Sequence, residues 1–142
     1  MKNYLVLLFG LLILCSCNDN DTLLNEELPQ TWQLVRMTGS IANSETTGSD
    51  MAWQETIVFK INRKFVKTRV RDGATTSASG TFTPADPESG NIVVLTYNES
   101  NTLRASCSGD LTEHLGATED GTTLYGTWNA CDGPGLEYKR IN

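Results

Sequence analysis

From Thr31 onward the chain is a succession of short alternating apolar and polar segments punctuated by turn signals, with no sustained helical periodicity. Thr31 to Met37 begins the pattern, and Gly39 to Asp50, rich in Ser, Thr, Asn and Gly, reads as a long loop. Thr56 to Ile61 alternates strictly, placing Ile57, Phe59 and Ile61 on one face, and Asn62-Arg63 is a tight turn. Phe65 to Arg71 alternates again and ends at the turn signal Asp72-Gly73. Strands follow at Ser77 to Thr83 and Asn91 to Tyr97, separated by the Pro84 to Gly90 loop. Asn98 to Asn101 turns the chain, Thr102 to Cys107 returns it, and Asp110 to Leu115 is a weaker strand. Asp120-Gly121 is a hairpin turn, after which Thr123 to Trp128, the Cys131 to Gly135 loop and Leu136 to Ile141 complete the chain. Eight or nine such strands predict an all-β antiparallel sandwich or barrel. Hairpin-length links close most simply as an up-and-down barrel of about eight strands, because closure removes adhesive edges. An eight-stranded interior is filled by side chains or holds one small ligand.

The first sixteen residues carry a different signal. Met1-Lys2-Asn3 is a short basic head, Tyr4 to Leu14 an apolar run, and a small residue precedes Cys17. The run is shorter than the roughly 20 residues a membrane span needs, so it reads as a secretion signal. Leu14-Cys15-Ser16-Cys17 resembles the bacterial lipobox. That resemblance implies cleavage before Cys17, acylation of its sulfur and new amino terminus, and attachment to a membrane through the lipid. Residues 1–16 are then a signal peptide, 17–29 an acylated polar tether and 30–142 the folded domain. The Asn18 to Asp21 stretch is a solvated spacer, or an address: it resembles the acidic export signal of Bacteroidetes-type outer-membrane lipoproteins. That resemblance implies an outer-membrane location, on the periplasmic or the cell-surface face. Asp21-Thr22-Leu23 resembles the O-glycosylation acceptor of the same bacteria, which implies Thr22 as an acceptor.

Loss of the signal leaves ten basic and seventeen acidic side chains, a net charge near −7. That balance argues against nucleic acid, whose phosphates repel such a chain, and against peripheral adsorption to an anionic membrane. Cysteine arithmetic is simple. Cys15 leaves with the signal, Cys17 takes lipid, and Cys107 and Cys131 remain in an oxidising compartment where a disulfide is expected, the alternative being two free buried thiols. One histidine and no Cys-x-x-Cys argue against a zinc site, and no other cofactor is implied.

Leu28-Pro29-Gln30-Thr31-Trp32-Gln33-Leu34-Val35 is similar to the opening strand of small lipocalin-like bacterial lipoproteins: a leucine, a Gly-Thr-Trp, then an alternating apolar strand. Gln30 or Thr31 stands where those proteins carry glycine. Trp53 to Phe59 resembles their second strand and Gly80-Thr81-Phe82 their mid-barrel strand. The resemblance implies an eight-stranded lipocalin-like barrel with one open end.

Within such a barrel, Trp32 is expected to seal the closed end, and Ile57, Phe59, Val94, Tyr97 and Trp128 to line any cavity, with Trp53 at its mouth. Lys67, Arg69 and Arg71 lie on one strand face. They are read as a solvated outer face opposite a Val66-Thr68-Val70 core face, or as a cationic wall for an anionic ligand. His114 and the adjacent Glu113 point to opposite faces and do not form an acid–base pair. No nucleophile, base and metal set is assembled, so a binding protein is expected and not an enzyme. The leading expectation is a lipid-anchored envelope protein binding a small apolar or glycan ligand. The alternative is an interaction protein, such as a protease or lysozyme inhibitor acting through Gly39–Asp50 or Asn18–Pro29, or an accessory subunit of an outer-membrane system.

Overall fold

The structure, a computed structural model, describes residues 28–85, 88 and 90–142. The signal peptide, Cys17 and Thr22 lie outside the described residues. The strands are β1 (Gln30–Thr38), β2 (Thr46–Thr47), β3 (Gln54–Phe59), β4 (Lys64–Arg71), β5 (Ala74–Thr83), β6 (Ile92–Tyr97), β7 (Thr112–Ala117), β8 (Thr123–Gly126) and β9 (Gly135–Arg140). Every pairing is antiparallel, and β9 pairs back onto β1, so eight strands close into an up-and-down barrel consistent with the lipocalin-like expectation. β2 is a two-residue addition to the distal half of β1.

Turn chemistry sets the register. Asp72 and Gly73 both take positive φ, the conformation a two-residue hairpin loop needs, and this fixes the long β4–β5 ladder. Arg63, at φ 59°, closes the β3–β4 turn, where the Lys60 amide donates to the Lys64 carbonyl. In β1 the pairing with β9 shifts between Leu34 and Arg36. This bulge moves the inward position from even to odd numbers, so Trp32, Leu34 and then Met37 all face the core.

The barrel has two unlike ends. At the entry end β1 begins, β9 ends and three links turn: β3–β4, β5–β6 and β7–β8. There Trp32 is buried as expected, its indole N–H donating to Gln30 Oε1. The rim end carries the long connections 39–53, 98–111 and 127–134 and the short Asp72-Gly73 turn. A disulfide joins Cys107 to Cys131 and staples two of those connections together.

Three expectations change. Thr102 to Cys107 is no strand: it belongs to the rim connection 98–111, which folds Leu103 and Ala105 into the core. Ile61 stands in the β3–β4 turn, 74% exposed, because β3 stops at Phe59. On β4 it is Phe65, Lys67 and Arg69 that face inward, while Val66, Thr68 and Val70 lie on the outside. Burial of the Phe65 ring against Tyr97, centroids 5.0 Å apart, sets that parity, and two acidic side chains, Glu55 from the adjacent β3 and Glu113 from β7 across the interior, make it tolerable for the cations.

Candidate functional site

The interior splits into an aromatic half and a charged half. Toward the entry end Phe59 packs edge-on against Phe82 at 4.7 Å, within a core that includes Trp32, Phe65 and Leu95. Ile57 and Phe59, expected to line a cavity, are fully buried members of this core. Val94 is not inward at all: the strand parity that buries Val93 and Leu95 turns it to the outside.

Above the aromatics the barrel is filled by ions. Lys67 is wholly buried, its ammonium 2.7 Å from Glu113 Oε1 and 3.1 Å from Glu55 Oε1. Arg69 Nε donates to Glu55 Oε2 at 2.5 Å. Tyr138 donates its hydroxyl to Glu55 Oε1, and Tyr97 donates to Glu113 Oε2, each at 2.6 Å. The Ala105 amide of the rim connection adds a third donor to Glu113. Two cations meet two carboxylates, and all four carboxylate oxygens are satisfied, the condition under which buried ions are tolerated. Burial pulls the Lys67 ammonium toward neutrality, but the charges of Glu113 and Glu55 outweigh it and hold its pKa above the usual lysine value. Burial pushes the Tyr97 phenol strongly up, reinforced by Glu113, and burial with Glu55 does the same for Tyr138. The cluster lies in the barrel interior beneath the rim.

Lys67 is therefore part of the core and not a ligand contact, and Tyr97 shares its partner Glu113. Glu55 and Glu113 are the residues that sequence reasoning passed over. Their signal was parity: Glu55 shares the inward face of Trp53, Ile57 and Phe59, and Glu113 that of Leu115 and Ala117.

The basic stripe emerges from the core at the rim. Arg69 lies over the Trp53 ring at 4.3 Å, and its two terminal nitrogens donate to the carbonyls of Thr102 and Leu103 at 3.4 and 3.3 Å. Arg71 also reaches over Trp53, at 5.7 Å, but its side chain is 58% exposed and it has only a loose pairing with Asp72 at 3.6 Å. Both arginines line an open groove of about 350 Å³ with Asp72, Ala74, Thr76, Thr102 and Leu103. Trp53 is buried beneath the two guanidiniums as part of the core, and its indole N–H has no hydrogen-bond partner in the structure. Trp128 is not in the groove: partly buried in a 3-10 turn (Trp128–Cys131) that ends at the disulfide, it packs against the core, with its ring close to Gly133. Among the described residues no three His, Cys, Asp or Glu side chains are placed to hold a metal. His114 is exposed, on the outer face opposite Glu113.

No protein-family model matches the chain, and searches of curated proteins and of solved structures return no significant match.

Proposed function

We propose that this is a lipid-tethered envelope protein that binds a small anionic ligand, such as an acidic glycan, in the rim groove of a closed barrel. Export and acylation at Cys17, and an outer-membrane location, follow from the amino-terminal motif. With no acid–base–nucleophile set assembled among the described residues, binding is the simpler reading. A filled, charge-neutralised interior moves the ligand from the barrel cavity to its rim. The observation that carries the reading is Arg71: an exposed guanidinium fork over an aromatic ring, in a groove, whose one carboxylate partner is the exposed Asp72 at 3.6 Å, a pairing that solvent screens and a ligand oxyanion can replace. Such a fork suits carboxylate or sulfate oxygens.

The test is a titration with a uronate tetrasaccharide, followed by tryptophan fluorescence. Saturable binding is expected, weakened at least about tenfold in Arg71→Ala, since one charge-assisted pair contributes roughly 1.5–3 kcal/mol. Equal affinity in wild type and Arg71→Ala would exclude the groove.

A second reading has its own observation. The 39–45 loop is braced by Ser44, which accepts from the Gly39 amide and donates to the Ile41 carbonyl, and the loop presents Ile41 at 77% exposure. A braced loop with an apolar tip suits insertion into a protein partner, as an inhibitor or accessory subunit requires. Capture of an envelope protease by wild type and by Ile41→Asp alike would argue against that loop.

A further inference from the structure

The entry end of the barrel presents a surface at odds with the charge of the whole protein. Around the β3–β4 turn, Lys60, Ile61, Arg63 and the first β4 residue Lys64 fall within five positions, in a chain of net charge −6. Ile61 is three-quarters exposed at the tip. Lys60 and Lys64 are exposed, and neither makes an ion pair with another described residue. Their backbones are joined by the Lys60 amide to the Lys64 carbonyl at 2.8 Å, and both line one groove of about 240 Å³ with Phe65 and Thr81. Beside this turn the chain enters the barrel: Gln30 is the register partner of Phe59, the residue before Lys60. On the other side of β1, Arg140 pairs with Trp32, followed by the half-exposed Ile141. The acidic turn that holds Glu119 and Asp120 lies at the same end, between β7 and β8, several strands removed around the barrel.

We infer that the Lys60–Lys64 turn, with Ile61 at its tip, docks on an anionic phospholipid surface, and that the barrel therefore sits entry end down and tilted onto its basic side. The inference rests on the Cys17 tether for the location of that surface. Ten residues separate Cys17 from Leu28, a reach of at most roughly 40 Å, and they deliver the chain to the end where this turn stands. Two ammonium groups flanking one notch match a headgroup phosphate, and an exposed isoleucine matches the boundary of the acyl region. The acidic turn would be repelled by the same surface, which sets the direction of tilt.

The experiment uses the full chain purified from its envelope and placed in vesicles of phosphatidylcholine, with or without phosphatidylglycerol. Mass of the amino-terminal peptide first establishes whether Cys17 is acylated. With acylated protein, labelling of Lys60 and Lys64 by a water-soluble amine reagent is expected to fall about tenfold on the anionic vesicles and to recover in high salt. An Ile61→Trp variant is expected to be quenched by brominated acyl chains on anionic vesicles, and Lys60→Glu/Lys64→Glu to abolish that quenching. Equal labelling on both vesicle types would overturn the inference while leaving the tether intact. Where Cys17 proves unacylated, the tether reading fails on its own. Sedimentation with anionic vesicles then decides the surface: about tenfold loss of binding in Lys60→Glu/Lys64→Glu supports it, and no binding by the parent chain overturns it.

Discussion

Lys67 and Glu113, forty-six residues apart in the chain, meet at 2.7 Å inside the barrel with neither side chain reaching solvent. Removing either partner leaves the buried four-ion cluster with one charge in excess, because the remaining pair of opposite charges, Arg69 and Glu55, already offset each other. Lys67→Met and Glu113→Gln are each expected to lower unfolding stability by about 3–5 kcal/mol. In the double variant Arg69 and Glu55 still neutralise each other, so its loss should fall short of the summed single losses by about 1 kcal/mol or more. Urea unfolding of all four proteins measures this, and an additive double variant would show that the two groups do not act as a pair.

The same cluster sets the alkaline limit. Lys67, Tyr97 and Tyr138 all hold their protons more tightly in the fold than in the unfolded chain. Where the native state binds more protons than the unfolded state, stability falls as pH rises. Their contribution is complete below about pH 10, the ordinary range of free lysine and tyrosine, and is lost progressively above it. The melting temperature should drop steeply from there upward, and Tyr97 and Tyr138 should ionise only together with unfolding. A melting temperature that stays level between pH 9 and 12 (about one unit below to about two above those values) would contradict this.

The strand count, the hairpin turns at Asp72-Gly73 and Asp120-Gly121, the disulfide and the burial of Trp32 were legible because each is a local signal: alternation, turn chemistry, or a count of cysteines. The face assignment of β4 was not. A Lys-Thr-Arg-Val-Arg stretch offers charges on one side and valines on the other, and burying the valines is the cheaper local choice. What reverses it is non-local: Glu55 on β3 and Glu113 on β7 supply the counter-charges, and no periodicity within β4 announces them. The connection 98–111 misled for a related reason. Leu103 and Ala105 alternate as a strand would, yet they are held by side-chain caps from Asn101 to the amides of Leu103 and Arg104, and by the Glu113 carboxylate. The groove residue Arg71 was nominated with its stripe, but only the geometry separates it from the core-bound Lys67.

The Cys107–Cys131 bond ties the connection that covers Glu113 to the one that follows β8. Its sequence separation of 24 residues corresponds to a stabilisation of about 3 kcal/mol on the chain-entropy model. Reduction, or Cys107→Ser/Cys131→Ser, should lower stability by about that amount and leave the barrel folded. Hydrogen exchange locates the effect. The Ala105 amide should lose protection on reduction while the β4 and β5 amides keep theirs; uniform loss across the barrel would mean that the bond supports the whole fold and not the rim.

Two glycines separate a rigid contact from a yielding one. A methyl group on Gly80 would sit 1.9 Å from the Thr96 carbonyl oxygen, backbone of the paired strand, whereas one on Gly116 would sit 2.1 Å from the Tyr125 ring, a side chain half open to solvent. Backbone in a closed barrel has nowhere to move without shifting the ladder, so Gly80→Ala should cost about 3 kcal/mol or more, at the upper end of overpacking penalties. Gly116→Ala should cost less, about 1 kcal/mol, because the phenol ring can swing outward. Tyr125→Ala should erase the Gly116→Ala penalty, and no side-chain truncation should erase that of Gly80→Ala. Thermal unfolding of the two single variants and the Gly116→Ala/Tyr125→Ala double is sufficient: a penalty at Gly116 that survives removal of the ring would mean that β7 itself, and not Tyr125, forbids the methyl group.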